Sequence, residues 1–579
     1  MPYLLNLHMT DDLRNYLKLM MGKNKKYSLK KGCVFMKNTK KFLGVLLVFV
    51  MILSITTGCS SKNGNENSQK TKELTFCESW NFDGGFSVFQ EPLMANGTFG
   101  LLYYIPNFYE TLVKYEDGKF TPGLADKWEV SKDNMTYTFN LKKNIKFSDG
   151  EELTAEVVKK NFENVGKNLG TYNGFFGLTS TLIEKVTVID KHTVSVKLSS
   201  PYYGALTDFT LPLPMGIMSP KAFNEDGSLS DSIKNATMGT GPYMYDGKKE
   251  NDTYTFVKNP NYDRKKVDVE TFKIKVIPDN DAKLLALRNN EIDMILGTNN
   301  LSYDSYNTLQ KDKNFTGKTS ETVIQTRYVG INSDIAPFND ISVRKAINHA
   351  INTESIRKNI LGDVEKEATS ILDKNLPYCN VDTESYSYSE QKAKDLLEKA
   401  GWKDEDGDGI REKDGVKLSV NISCASEQAM LKDISEAIAT DLKKVGFETK
   451  TSSSETMNHY KNISEGKYQM AIGITYNIPM DPYRLVASFS KNPVMDNMTS
   501  KALTSMNNSD EAIRSLNAMT DEKEIQKVYN SIITALHDDA VLIPISRTVG
   551  MTTFNSSKIA DYTFSFEPDY LDVSNIKTK

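Results

Sequence analysis

Three observations predict an α/β fold for this chain. Short runs alternate with period two, as where Tyr137, Phe139 and Leu141 flank Thr138 and Asn140, and these read as half-buried strands. Between such runs, apolar residues recur at helical spacing, as at Ala155, Val158, Phe162 and Val165. The chain has 579 residues, 39% hydrophobic and 25% charged, so it has the means to bury large cores, in two to four domains of about 150 residues each. The formal net charge of −4 speaks against a nucleic-acid or anionic-membrane partner.

The N-terminal segment reads as an address rather than as fold. Lys37, Lys40 and Lys41 are followed by an apolar run over residues 42–55 and then by Thr56-Thr57-Gly58-Cys59. This layout resembles a bacterial lipoprotein signal, which implies lipidation at Cys59 and a place on the extracytoplasmic face of a cell membrane. The run is shorter than the ~20 residues a spanning helix needs. Residues 1–35 carry no signal pattern and read as a start called too early, with Met36 the true start and 36–58 the signal peptide. Residues 59–72, rich in Ser, Asn and Lys, read as a flexible tether. Of five cysteines, Cys77, Cys379 and Cys424 fall beyond it, match no zinc or disulfide spacing and read as buried small hydrophobes.

The elements then follow in order. Residues 73–80 read as a strand. Residues 120–162 give Gly123-Leu124-Ala125, then Trp128, a polar turn at Lys132-Asp133-Asn134, the alternating strand, a turn at Asp149-Gly150 and a helix N-capped by Thr154. Residues 183–198 read as two strands around Asp190-Lys191, and Ser219-Pro220 as a helix start. Gly239-Thr240-Gly241-Pro242 lacks the Gly-Lys-Ser/Thr of a phosphate loop and reads as a tight turn. Strands are expected at 272–277, 291–294, 326–332, 418–422, 447–451, 468–474 and 539–545, with helices at 282–287, 343–351, 393–400 and 426–445.

Several of these stretches together resemble the family 5 solute-binding proteins, the extracytoplasmic receptors of ABC importers for oligopeptides, dipeptides and nickel. The resemblance rests on Ala125, Asp133, Thr136-Tyr137, Phe139, Leu141, Lys142 and Asn144, on Gly239-Thr240-Gly241-Pro242 with Asn259 and Tyr262, and on Pro337-Phe338-Asn339-Asp340 with Val343-Arg344. Leu376-Pro377-Tyr378, Pro479-Met480-Asp481-Pro482 and residues 536–541 are similar to the nickel-binding branch. The resemblance implies a two-lobed periplasmic-binding-protein-like fold of the large peptide/nickel type. It divides the chain into lobe I at 73–325, with an inserted subdomain at about 110–240, lobe II at 326–546 and a return to lobe I at 547–579. It also implies ABC permease subunits as partners, a monomer, no cofactor and no catalysis. Consistent with the last, no nucleophile elbow, HExxH or metal-spaced His pair occurs.

The first expected ligand is nickel or a related transition metal held as a small chelate. An oligopeptide is second, and a sensory lipoprotein on the same fold third. Nickel-binding relatives pair arginines with the chelator's carboxylates, for which a bidentate guanidinium is suited. The matching stretches here, residues 169–177 and 211–216, lack those arginines, and Val494 stands near the position of a donor His. Arg327, on the first crossing strand, and Arg484, after Pro482-Tyr483, are the candidate replacements. Tyr476 and Met480 supply one candidate wall of the cleft, and Tyr104, Tyr172, Phe175 and Phe176 the other. No residue is assigned as a metal ligand. Asp404-Glu405-Asp406-Gly407-Asp408-Gly409 has calcium-loop spacing, but the Glu required at position twelve is Gly415, so a solvated hairpin is expected.

Overall fold

A computed structural model describes residues 73–89, 99–116, 118–174, 176–297, 300–426, 429–475, 482–490 and 497–579. Cys59, Phe175, Tyr476 and Met480, with the expected signal and tether, lie outside the described residues.

The organising element is a ten-stranded sheet. Its order is Glu448–Ser454, Ser419–Ala425, Met470–Ile474, Phe315–Ile331, Leu542–Asn555, Met294–Leu296, Glu73–Glu78, Thr271–Val276, Thr253–Lys258, Tyr243–Glu250. Phe315–Ile331 and Leu542–Asn555 run antiparallel through the middle, paired from Phe315↔Asn555 to Gly330↔Leu542. On one side the sheet is built from early strands. On the other, Ser419–Ala425, the helix Ala429–Lys444 and Glu448–Ser454 form a βαβ unit with parallel strands. Apolar residues of the two sides fill separate cores, one around Phe76, Phe108, Phe256 and Phe272, the other around Ile331, Ile347, Ile422 and Leu442.

A second sheet, Ala125–Val130, Thr136–Leu141, Thr193–Leu198 and Ile183–Asp190, is antiparallel and packs against the helix Ala155–Leu169. Thr136–Leu141 buries Tyr137, Phe139 and Leu141 in strict alternation, as the period-two pattern predicts. Thr154 caps the helix by accepting the N–H of Val157. Glycine at 239 and 241 is a packing requirement. A Cβ on Gly239 would lie 1.9 Å from the Phe108 carbonyl oxygen, and one on Gly241 2.5 Å from that of Asn107.

Four elements differ from the sequence expectation. The short strand expected at 291–294 lies at Met294–Leu296. The strand expected from 326 begins at Phe315, because the polar run 315–322 pairs with 549–555 and needs no alternation of its own. The late strand begins at Leu542, not at 539. The helix Glu522–Asp539 runs up to it and ends on Ala540 in the left-handed region (φ 53°). The expected helix after Ser219 is one 3₁₀ turn, Pro220–Ala222. Cys77, Cys379 and Cys424 are all buried.

Candidate functional site

The two long central strands do not pair evenly. Their register slips between Thr319 and Val323, between Val323 and Thr326, and between Arg327 and Tyr328. Each slip is a bulge that bends the strand and re-aims side chains. A small cavity of about 40 Å³ opens at this point. It is lined by Val323, Gln325 and Thr326 of the first strand, Arg547 of the second, Asp373 and Leu376 of the intervening loop, and Arg484 at the start of the helix Tyr483–Ala487.

Arg547 is the hub of the cavity. Its side chain is 7% exposed, and it donates to Thr326 Oγ1 at 2.6 Å and to the carbonyls of Ser370 and Leu372 at 3.1 and 3.2 Å. Asp373 lies 3.6 Å from its Nε. Burial pulls the Arg547 pKa down, and the Asp373 charge works the other way. Gln325 is held by its Nε2, which donates to the Thr475 carbonyl at 2.7 Å, and by its N–H, which donates to Thr548 Oγ1 at 3.1 Å. Two guanidiniums and one carboxylate thus meet at the lining. The arrangement favours a ligand carrying negative charge and offers amide and hydroxyl groups to orient it.

Of the candidate residues within the described part, Arg484 alone lines this cavity. Arg327 is engaged elsewhere. It pairs with Glu365 at 2.8 Å, in a site where the two side chains are 6% and 0% exposed. Tyr303 donates its hydroxyl to Glu365 at 2.5 Å, and Ser546 donates to the other carboxylate oxygen. Burial opposes the charge on each partner, and their mutual attraction outweighs it, holding Glu365 below the usual carboxylate range and Arg327 above the usual guanidinium range. Tyr104 is buried in the first-side core, its hydroxyl donating to the Cys77 carbonyl at 3.2 Å. It borders a different cavity, with Glu78, Trp80, Tyr103 and Asp569. Tyr172 ends a 3₁₀ turn, and Phe176 packs against the same core as Tyr104.

Sequence reasoning missed Arg547, Gln325 and Asp373. A signal for Arg547 was present. It interrupts the otherwise buried, mostly apolar run 541–551, and a charge in such a run is paired or functional.

Four tyrosines from separate segments meet in a cluster of their own. Tyr203, beyond the second sheet, and Tyr529, on the helix Glu522–Asp539, place their hydroxyls 2.5 Å apart. Tyr203 also meets Tyr378 and Tyr483 edge-on, at 6.1 and 5.7 Å between ring centroids.

The family model for bacterial extracellular solute-binding proteins, family 5 middle, matches residues 119–497, more than half of the chain. The chain belongs to this family. It is a solute-binding receptor of the kind that serves ABC importers, and its relatives are extracytoplasmic binding proteins. The nickel-binding periplasmic protein of Escherichia coli is 32% identical over 440 residues, covering 76% of this chain and 83% of that one. The oligopeptide-binding protein AppA of Bacillus subtilis is 26% identical over 523 residues, covering 87% and 92%. The crystal structure of NikA from Brucella suis in complex with Fe(III)-EDTA superposes with a TM-score of 0.77 at 29% identity, covering 88% of this chain and all of that one. The fold of this family 5 protein is therefore the two-lobed periplasmic-binding fold, built here around the ten-stranded sheet and its two long central strands.

Proposed function

We propose that this receptor captures nickel or a related transition metal as a small anionic chelate, in the cavity at the bulged crossing of the two long strands. The observation that carries the reading is the meeting of Arg484 and Arg547 at one lining, with Asp373 beside Arg547. A carboxylate-bearing chelator suits paired guanidiniums, and the arginines absent from 169–177 and 211–216 are replaced in kind by Arg484 and Arg547. The relatives named for nickel and crystallised with Fe(III)-EDTA support the same class of ligand. In this reading lobe I spans 73–325 with its insertion at about 110–240, lobe II spans 326–546, and 547–579 returns to lobe I. Cys59 carries the lipid anchor, and the closed monomer is presented to the permease.

Isothermal titration with nickel–histidine and nickel–EDTA tests the ligand. Saturable heat that falls when Arg484 is replaced by Met supports the reading, and absence of heat with every nickel chelate sinks it. A second reading, an oligopeptide ligand, draws on one specific feature. The bulged segment Val323-Ile324-Gln325 lines the cavity where regular strand pairing is interrupted, and such backbone suits a peptide main chain. Heat with a peptide mixture and none with chelates would favour it.

A further inference from the structure

Residues 403–417 form a hairpin closed by the short strands Glu412–Lys413 and Val416–Lys417 and by a bridge between Lys403 and Glu412. Its acidic tip is folded by its own carboxylates. Asp404 accepts the N–H groups of Gly407 and Gly409 at 2.8 and 3.1 Å, Asp406 that of Asp408 at 3.0 Å, and Asp408 that of Ile410 at 2.8 Å. These are turn contacts and need no ligand.

Glu412 is a separate matter. It is 8% exposed, and its Oε2 accepts the N–H of Glu405 at 3.2 Å. Its Oε1 is buried and accepts no hydrogen bond. One carboxylate oxygen each from Asp404, Asp406 and Glu412 lie within 4.8 Å of one another. A buried carboxylate oxygen without a donor is desolvated and uncompensated, which is a reason to look for a cation. Lys417 Nζ bonds Asp408 at 2.5 Å and reaches Glu412 Oε1 only as a 4.0 Å ion pair, without a hydrogen bond. Arg411 donates to the carbonyls of Trp402 and Val445, and Lys413 to that of Ala400.

We propose that this hairpin binds a calcium-class divalent cation, with Asp404 and Asp406 as loop ligands and Glu412 as the carboxylate aimed in from the base. The donors are all oxygen, which selects a hard ion. The loop's varied reach suits calcium better than magnesium, which demands a near-ideal octahedron. The absent position-twelve Glu is no obstacle, because the hairpin folds Glu412 of position nine back onto the tip. The site also has a mechanical consequence. Arg411 and Lys413 tie the same hairpin to the ends of the helices Glu390–Lys399 and Ala429–Lys444, so an ion that fixes the tip stiffens that corner of the fold.

The test uses terbium chloride and calcium chloride on the full chain. Trp402, 6% exposed and two residues from Asp404, is the local sensitiser. Ultraviolet excitation is expected to give saturable terbium emission that calcium displaces with an apparent Kd of about 0.1–1 mM, as in weak extracellular calcium modules. Calcium at about 5 mM should also raise the thermal midpoint relative to a chelator control. Glu412→Gln should weaken terbium binding by about tenfold or more, and Lys417→Met should tighten it, since affinity follows ligand charge. Trp402→Phe should abolish the emission and leave the calcium-dependent shift intact. Asp406→Asn is the second variant, should Glu412→Gln fail to fold by circular dichroism. The proposal is overturned if calcium leaves the parent midpoint unchanged. It is equally overturned if a folded Glu412→Gln or Asp406→Asn variant binds terbium as tightly as the parent, because exposed acidic groups alone would then hold the ion.

Discussion

Replacing Glu365 with Met separates scaffold from site at the crossing strands. The Glu365 side chain is wholly buried and that of Arg327 is 6% exposed, so the substitution strands a guanidinium in the interior. Removing one partner of a buried pair costs about 3–5 kcal/mol. Replacing Arg327 with Met as well removes the stranded charge. What remains is the cost of the Tyr303 and Ser546 hydroxyls that lose their acceptor, about 1–3 kcal/mol for a group left buried and unpaired. The double variant should therefore be more stable than the Glu365→Met single by about 2 kcal/mol, and a double-mutant cycle should show the two substitutions to be strongly non-additive. Denaturant midpoints and unfolding rates are the measurements, since a chain of two lobes need not unfold in one step. Ligand affinity should stay within about twofold in the double variant, because neither residue lines the cavity. A double variant no more stable than the single, or one that folds but has lost its ligand, would refute the reasoning. The latter would restore Arg327 to the binding site.

Arg484→Met should weaken binding of an anionic chelate by about tenfold or more, because a hydrogen bond to a charged group contributes about 1.5–3 kcal/mol; titration calorimetry on the two proteins checks it. Tyr203→Phe removes the 2.5 Å contact with the buried Tyr529 hydroxyl and should lower apparent affinity by roughly tenfold if the contact forms on closure, measured with small-angle scattering as the readout of closure; unchanged affinity and scattering would count against it. Glu78→Gln tests a titrating core group. Burial pushes the Glu78 carboxyl up to about 7 from an ordinary value of 4.5, so the folded state retains a proton that the unfolded chain releases. The contribution is complete below 4.5, fades as pH rises through 7, and amounts to about 3 kcal/mol at most. The variant should gain on the parent between pH 5 and pH 8, and a stability difference independent of pH would contradict the assignment.

How much of this was legible in the sequence depends on whether the signal was local. Thr154, the alternation of 136–141 and the helix spacing of 155–169 are local, and the structure has them in place. The polar half of Phe315–Ile331 is a strand only because residues 549–555 run beside it, and nothing within 315–322 announces that. The same holds for the site. Arg327 reads as a ligand candidate because it stands on a crossing strand, yet Glu365, 38 positions away, takes its charge. Glu412 reads as an ordinary hairpin residue until the fold buries it beside Asp404 and Asp406. Long-range partners decide which charges are spoken for, and spacing in sequence does not record them.

The placement of Arg547 gives the proposed function its mechanism of closure. Thr326 and Arg547 are register partners between two slips of the central ladder, and the Arg547 guanidinium bonds the Thr326 hydroxyl across that gap. The same guanidinium holds the loop carbonyls of Ser370 and Leu372, and Leu372 lines the cavity. A ligand that draws on Arg547 therefore acts on both crossing strands and on the wall at once. Hinge motion is absorbed at a few backbone positions that tolerate a change of φ and ψ, and irregular pairing marks where a ladder yields most readily. Binding and bending then share residues, so ligand affinity and lobe closure are one equilibrium.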